Sequence, residues 1–442
     1  MILRSAEEST PAKRSFLLGW ETSEQPREIG FHAGESRSQP IISRADVEAA
    51  FRYQGDSHYL CIAPTGCGKG RSVLIPNLLT TDATCIVLDI KGELYHVTAE
   101  ARRRLGQQVY CLDPFGLTKR PSDGLNPLDR FRLSTCDVES EAQAMADALS
   151  CGHEFSSDPF WSTVGTAFGA GVLAHLATGA AEEDRHLNTL LDYLFADDIV
   201  YKFAVLLDSK TVASRMAYRQ IAAMLQLPEK TRESVIATTQ SYVSALQSAS
   251  VQRTLARSTF DLADLVAGKP MTIYLCIPPD KLRGYAGLLR LWLGTFLTAL
   301  AGRDHKVERP TWFFIDEAAQ LGPWKQLEQI LTLMRGYGVQ AATFWQDVSQ
   351  LRNNFPLSWP TILNNSAVIQ TFGLDKWLQA KELGDVFGVG PETLLARGAT
   401  ESTVLLPNGA LRVVEKCDYL RDAAFAGKYS GNPRFVRWDE AR

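Results

Sequence analysis

Ala63-Pro64-Thr65-Gly66-Cys67-Gly68-Lys69-Gly70 is the stretch on which the fold turns. It follows the apolar run Tyr59-Leu60-Cys61-Ile62-Ala63 and precedes residues 73–79, whose apolar side chains recur at helical spacing. A glycine-rich turn between a strand and a helix lets consecutive backbone N–H groups point inward around phosphates. A lysine opening the helix then neutralises the β- and γ-phosphates, helped by the helix dipole. Gly66, Gly68 and Lys69 meet those needs, and Thr65, Cys67, Gly70 and Arg71 complete the expected phosphate-contacting segment. Two positions depart from GxxxxGK[ST]: Ala63 replaces the first glycine, and Gly70 replaces the hydroxyl residue that would ligate magnesium. Taken alone, the octapeptide also reads as a glycine turn that caps a helix.

Working outward, Cys85-Ile86-Val87-Leu88-Asp89 is a continuous apolar strand of the kind buried in a parallel sheet. A charged helix over 93–105 leads to a further strand at 108–112, and this alternation is a βαβ signal for an α/β domain with a mostly parallel sheet. From about 138 to 248 the strand signals nearly vanish. Asp158-Pro159 is a good helix start, and Ala-, Leu- and Gln-rich patterns follow at 218–227 and 229–246. This is the signature of an inserted all-α domain. Strands resume at 271–277, 311–315, 339–344 and 367–372, and Pro407-Asn408-Gly409-Ala410 separates two short strands as a hairpin turn. The expected organisation is a peripheral segment at 1–50 with one short helix at 44–52, and a nucleotide domain at 51–135 and 251–397. A helical domain at 136–250 and a hairpin and tail at 398–442 complete it.

Composition limits what such a domain does. The 442 residues carry 46 Lys plus Arg against 50 acids, a net charge of −4, which excludes a polybasic DNA-coating protein but not a motor with a basic channel. Arg102-Arg103-Arg104 and Lys119-Arg120 are the densest basic clusters, readable as solvated helix faces or as DNA contacts. The eight cysteines form no CxxC pair, so reduced intracellular thiols are expected rather than a zinc ribbon or a disulfide scaffold. The first residues hold no apolar signal-peptide core, and the apolar stretches at 160–181 and 285–301 read as core helices.

A second motif joins the first. Thr311-Trp312-Phe313-Phe314-Ile315-Asp316-Glu317 is a hydrophobic strand ending in two acids. In phosphate-loop ATPases the first acid, here Asp316, holds the magnesium shell, and the second, Glu317, orients or deprotonates the attacking water. An isolated pair of acids would more often cap the next helix, so the specificity comes from the combination. Gln346, just past the strand at 339–344, stands where a polar side chain senses the γ-phosphate, or else in a solvated loop. Arg335, in Met334-Arg335-Gly336-Tyr337-Gly338, is either an arginine finger reaching a neighbouring subunit or a dipole partner closing a helix.

The chain resembles the type IV secretion coupling proteins of the TraG type, ATPases that link DNA–relaxase substrates to a conjugation channel. The matching segments are residues 63–70 with Val73-Leu74-Ile75-Pro76-Asn77-Leu78-Leu79, then Asp89-Ile90-Lys91-Gly92-Glu93-Leu94 and Asn126-Pro127-Leu128. Asp158-Pro159-Phe160-Trp161, Phe314-Ile315-Asp316-Glu317-Ala318 and Arg335-Gly336-Tyr337-Gly338 follow in the family's order, with Gln346 and Gln350-Leu351 after them. The resemblance implies a RecA-like ATPase domain that uses ATP and Mg2+, an all-α domain that meets DNA or substrate, and a homo-hexamer with Arg335 acting in trans. It implies DNA, a relaxase or relaxosome, channel components and protein effectors as partners, and a cytoplasmic place, or one peripheral to the inner membrane through partners or an anchor. Lys69-Gly70 is a variant this family tolerates. The chain departs from the family in showing no N-terminal membrane helices and in the spacing of Gln346-Asp347-Val348-Ser349-Gln350. Two other readings stay open: a soluble FtsK/HerA-like DNA translocase, and a nucleotide-stabilised platform that recruits protein effectors.

Overall fold

The computed structural model describes residues 15–22, 44, 46–133, 135–151, 159–305 and 307–433. Its spine is an eleven-stranded sheet. The strands in chain order are β1 (Phe16–Glu21), β2 (Phe51–Tyr53), β3 (His58–Ile62), β4 (Thr84–Asp89), β5 (Gln108–Leu112) and β6 (Met271–Cys276). They continue with β7 (Thr311–Ile315), β8 (Val339–Trp345), β9 (Ser366–Thr371), β10 (Glu401–Leu405) and β11 (Leu411–Glu415). The spatial order is β2-β1-β11-β10-β9-β3-β8-β7-β4-β6-β5. From β9 to β5 every pairing is parallel, whereas β10, β11, β1 and β2 add antiparallel strands at one side.

The central strands are apolar on both faces because both faces are covered. In β7, Phe313 and Ile315 enter one core while Trp312 and Phe314 enter the other; in β4, Ile86 and Leu88 are opposed in the same way by Cys85 and Val87. The first core continues without a break into the helices between β5 and β6, from Val138–Ser150 to Ala249–Leu255. That insertion leaves and returns side by side: the Leu125 N–H donates to the Thr254 carbonyl (2.8 Å) and the Thr259 N–H to the Gly124 carbonyl (3.0 Å). Its long helix begins at Pro159; the cap expected at Asp158 lies outside the described residues.

The helix Leu282–Ala301 is the one helix among the described residues long and apolar enough to cross a membrane, and it lies buried against the sheet. Within it the buried Arg290 donates to the carbonyls of Leu321 (3.0 Å) and Cys151 (2.6 Å). All eight cysteines are free.

Three local expectations are corrected. Residues 16–21 are not a peripheral segment but strand β1, with Phe16, Leu17, Leu18 and Trp20 buried. Asn77 bonds both the N–H (2.7 Å) and the carbonyl (2.9 Å) of Leu17, and the Trp20 indole donates to Asp422 (2.8 Å). Of the helix expected at 44–52, the described residues show a single 3-10 turn at Val47–Ala49, which gives way to β2. Arg102 is not on a solvated face either. It is fully buried and donates to Thr272 Oγ1 (2.9 Å) and to the carbonyls of Leu78, Thr81 and Ala83, while Arg103 and Arg104 pair with Glu100 at the surface.

Candidate functional site

Phosphate loops gather at the C-terminal ends of parallel strands. The loop here leaves β3 and is fixed at once, because the Ala63 N–H donates to the Trp345 carbonyl (3.0 Å) on β8. Gly66 (φ +83°) and Gly68 (φ +90°) take left-handed backbone that side chains rarely adopt, so glycine is required there by conformation rather than by space. Lys69 opens the helical turn Gly70–Leu74, and its buried Nζ donates to the carbonyl of Ala63 (2.7 Å) and, more weakly, of Pro64 (3.4 Å). Nothing lies within 4 Å of where a side chain at Gly70 would begin, so steric crowding does not explain its missing hydroxyl.

β7 ends directly beside this loop across β8. Asp316 follows its last residue, and burial first, then the neighbouring Glu317 charge, raises its carboxyl to about 6, against the opposing pull of Lys91 and Lys69. Glu317 is almost fully buried and takes the left-handed conformation (φ +53°, ψ +53°), a strain of about 1 kcal/mol for a residue other than glycine. That turn aims its carboxylate at β8, where Glu317 Oε2 accepts a hydrogen bond from Gln346 Nε2 at 2.8 Å. Gln346 is itself held, its N–H donating to Gln350 Oε1 (2.9 Å) and its carbonyl accepting from Gln379 Nε2 (2.7 Å). The spacing that sets this glutamine stretch apart is therefore a working turn: Gln350 reaches back to fix Gln346.

Thus Lys69, Asp316, Glu317 and Gln346 converge at the ends of β3, β7 and β8, with the exposed Thr65 and Gly66 at the loop's tip. Two expected residues do not join them. Arg71 forms a two-pronged ion pair with Asp418, 2.6 Å on each arm. Arg335 lies in the turn Met334–Tyr337, before β8 rather than after it, and pairs with Asp56 (2.6 Å) at the surface. β8 has seven residues, so at ~3.3 Å each Arg335 stands roughly 20 Å from its own phosphate loop. It lines an open groove of about 740 Å³ with Tyr53, Arg352 and Trp359 at that opposite edge.

Sequence reasoning missed several neighbours. Asp89 closes β4 beside Asp316, accepts the N–H groups of Lys91 (3.2 Å) and Tyr95 (2.8 Å), and is pushed up to about 7 chiefly by burial. It stands in the quoted Asp89-Ile90-Lys91-Gly92-Glu93-Leu94 run, the one signal that pointed to it. Gly373 and Lys416, which touch Cys67, carry no sequence signal at all.

A magnesium ion at such a site takes one or two carboxylates and fills its remaining positions with waters and phosphate oxygens. Asp316, a carboxylate at the strand end within the field of Lys69, fits that donor set. Among the described residues no cluster of three or more His, Cys, Asp or Glu forms an all-protein cage.

The geometry has counterparts. Residues 24–399 match the family model described as "Type IV secretory system Conjugative DNA transfer". The chain is 28% identical over 322 residues to conjugal transfer protein TraG of Escherichia coli, covering 68% of this chain and 50% of TraG. It is 28% identical to protein VirD4 of Rhizobium rhizogenes, over 67% of this chain and 44% of that protein, so it spans about half the length of these relatives. The bacterial conjugative coupling protein TrwB, solved without its first 70 residues, superposes with a TM-score of 0.64 over 82% of this chain and 85% of that one, at 14% identity. TrwB has also been solved with an ATP analogue and with ADP and Mg2+. With a family model matched across most of its length and the phosphate-loop fold of a coupling protein, the chain belongs to the type IV secretory system conjugative DNA transfer family.

Proposed function

We propose that this chain is an ATP-hydrolysing coupling protein that drives DNA, or a DNA–relaxase conjugate, toward a type IV secretion channel. The observation that carries the reading is the junction of Lys69, Asp316, Glu317 and Gln346 at one end of the sheet, with Gln346 bonded to Glu317. Lys69 and the backbone of residues 66–70 bind the phosphates. Lys69 gives up the uncharged Ala63 carbonyl to do so, exchanging an ion–dipole contact for an ion pair with the phosphates. Asp316 would hold Mg2+, and the ion would supply charge neutralisation at the phosphates. Glu317 positions and deprotonates the hydrolytic water, and Gln346, bonded to that carboxylate, reports on the γ-phosphate.

Arg335 has no route to its own loop, which supports a homo-hexamer in which each arginine serves a neighbour's nucleotide. The helical insertion meets DNA or its relaxase in this reading. The contacts are confined to a channel and are sequence-blind and salt-sensitive, as a net charge of −4 allows. The site of action is cytoplasmic, at the base of the channel.

The test is ATP turnover with and without single- and double-stranded DNA, beside Lys69→Ala and Glu317→Gln. The reading expects DNA-stimulated hydrolysis that both substitutions abolish. Equal turnover in all three proteins, or no DNA binding at low salt, refutes it.

A further inference from the structure

We infer that Lys416 is a second nucleotide-phosphate ligand, reaching the phosphate loop from the side opposite Asp316, Glu317 and Gln346. The inference deepens the ATP-binding reading above and rests on it. Lys416 follows the last residue of β11, and its own N–H is pinned to the Thr400 carbonyl at 2.7 Å. The sheet order puts β9, β10 and β11 on one side of β3, and β8 and β7 on the other. A side chain from β11 and one from β7 therefore approach the loop from opposite flanks.

The Lys416 ammonium is held but not neutralised. Its Nζ stands 3.4 Å from the Cys67 carbonyl, at the middle of the loop, and 5.0 Å from the ring centre of the buried Phe372. Neither partner carries a negative charge. Among the described residues no carboxylate lies within ion-pair distance of it, and Asp418, two positions on, spends both oxygens on Arg71. The floor beneath is also built for close approach. At Gly373 (φ +70°) an added side chain would begin 2.4 Å from Cys67 Sγ, and the Gly373 carbonyl accepts from that thiol at 3.3 Å. Burial, the largest effect, pushes the lysine's pKa down, with Arg71 adding to it against the opposing pull of the Cys67 thiol and of Asp418.

A half-buried ammonium facing a phosphate loop, with only a carbonyl and a ring for company, is poised for a polyanion. ATP and ADP bring that anion, and adenosine does not. An ammonium–phosphate contact of this kind is worth about tenfold or more in affinity.

The experiment measures binding of ADP, inorganic tripolyphosphate and adenosine to wild type, Lys416→Met, Lys416→Arg and Lys69→Ala, with the melting temperature of each ligand-free protein. Lys416→Met should weaken ADP and tripolyphosphate about tenfold or more and leave adenosine unchanged. Its ligand-free melting temperature should stay or rise, since an uncompensated charge has been removed. Lys416→Arg should restore most of the phosphate affinity. Unchanged ADP and tripolyphosphate affinity in Lys416→Met overturns the assignment alone, and so does a lowered melting temperature with equal losses for all ligands. A wild-type protein that binds neither ADP nor tripolyphosphate overturns the assignment together with the ATP-binding reading.

Discussion

Gln346 donates from Nε2 to Glu317 Oε2 at 2.8 Å, so the residue that follows β8 holds the carboxylate that follows β7. Because one is an amide and the other a carboxylate, the contact is attractive and leaves the second oxygen of Glu317 free for water. Gln346→Glu would set two carboxylates at the same distance, and like charges that close cannot both ionise at neutral pH. The proton shared across Oε2 would neutralise the Glu317 carboxylate and weaken its second oxygen as the base that hydrolysis needs. ATP turnover in Gln346→Glu should therefore fall further than in Gln346→Ala and recover partly at higher pH, while Glu317→Gln should lose about 10²-fold or more at every pH. A pH–rate profile of the three variants checks this; equal profiles for Gln346→Glu and Gln346→Ala would show that the contact is idle.

Arg335 and Asp56 form an ion pair in which both side chains are more than half exposed, and such pairs are worth about 0–1 kcal/mol. Arg335→Ala should leave the melting temperature almost unmoved. It should nevertheless abolish turnover in the assembled protein, where a finger is worth about 10³-fold or more. A mixing experiment gives the decisive readout. Arg335→Ala and Lys69→Ala are each inactive alone, and mixed oligomers should regain activity because some interfaces pair an intact loop with an intact arginine. Mixtures that stay inactive at every ratio would remove Arg335 from the neighbour's site.

Arg102 behaves in the opposite way. Its guanidinium is fully buried and binds three backbone carbonyls and Thr272 Oγ1 between the helix Glu93–Arg104 and the sheet. Arg102→Ala leaves those acceptors without donors and opens a cavity, a loss of about 3–5 kcal/mol in denaturant unfolding. Arg103→Ala, one residue on at the surface, should stay within about 0.5 kcal/mol of wild type.

That contrast also marks how far the sequence could be read. The parallel strands were legible because a strand covered on both faces is apolar throughout, as in β4 and β7, and the loop and acids were legible because chemistry fixes their spacing. Arg102-Arg103-Arg104 read as one basic cluster because composition does not tell which turn of a helix faces a sheet. β1 was missed because its partners are far away in the chain: Asn77, Asp422 and the returning strand β11. Lys416 was invisible for the same reason, since it reaches Cys67 only through strand pairings between distant parts of the chain that no local pattern announces. Arg335 stood out in the sequence, but only the direction of β8 sets it at the far end of that strand from its own loop.

His58 offers a test of that opposite sheet edge through pH. It opens β3, is almost fully buried, and accepts at Nδ1 from the Ala341 N–H at 3.1 Å, so the folded protein holds it neutral. Burial first, and then the charge of Arg335, lowers its pKa to about 4. In the unfolded chain the imidazole binds a proton near pH 6.5, so as pH falls from 6.5 to 4 the unfolded state takes up a proton that the folded state refuses. The stability tied to neutral His58 is thus fully present above 6.5 and fades toward 4, by about 3 kcal/mol in all. Asp89 and Asp316, raised to about 7 and about 6, work the other way: their folded carboxyls take protons first, so acidification relieves their burial. Total stability mixes these opposing slopes, and the informative quantity is the difference between wild type and His58→Asn, whose amide oxygen keeps the acceptor for Ala341 and does not titrate. That difference should shift against wild type by about 3 kcal/mol between pH 7 and pH 4 in urea unfolding, and a flat difference would place the His58 proton in the folded state as well.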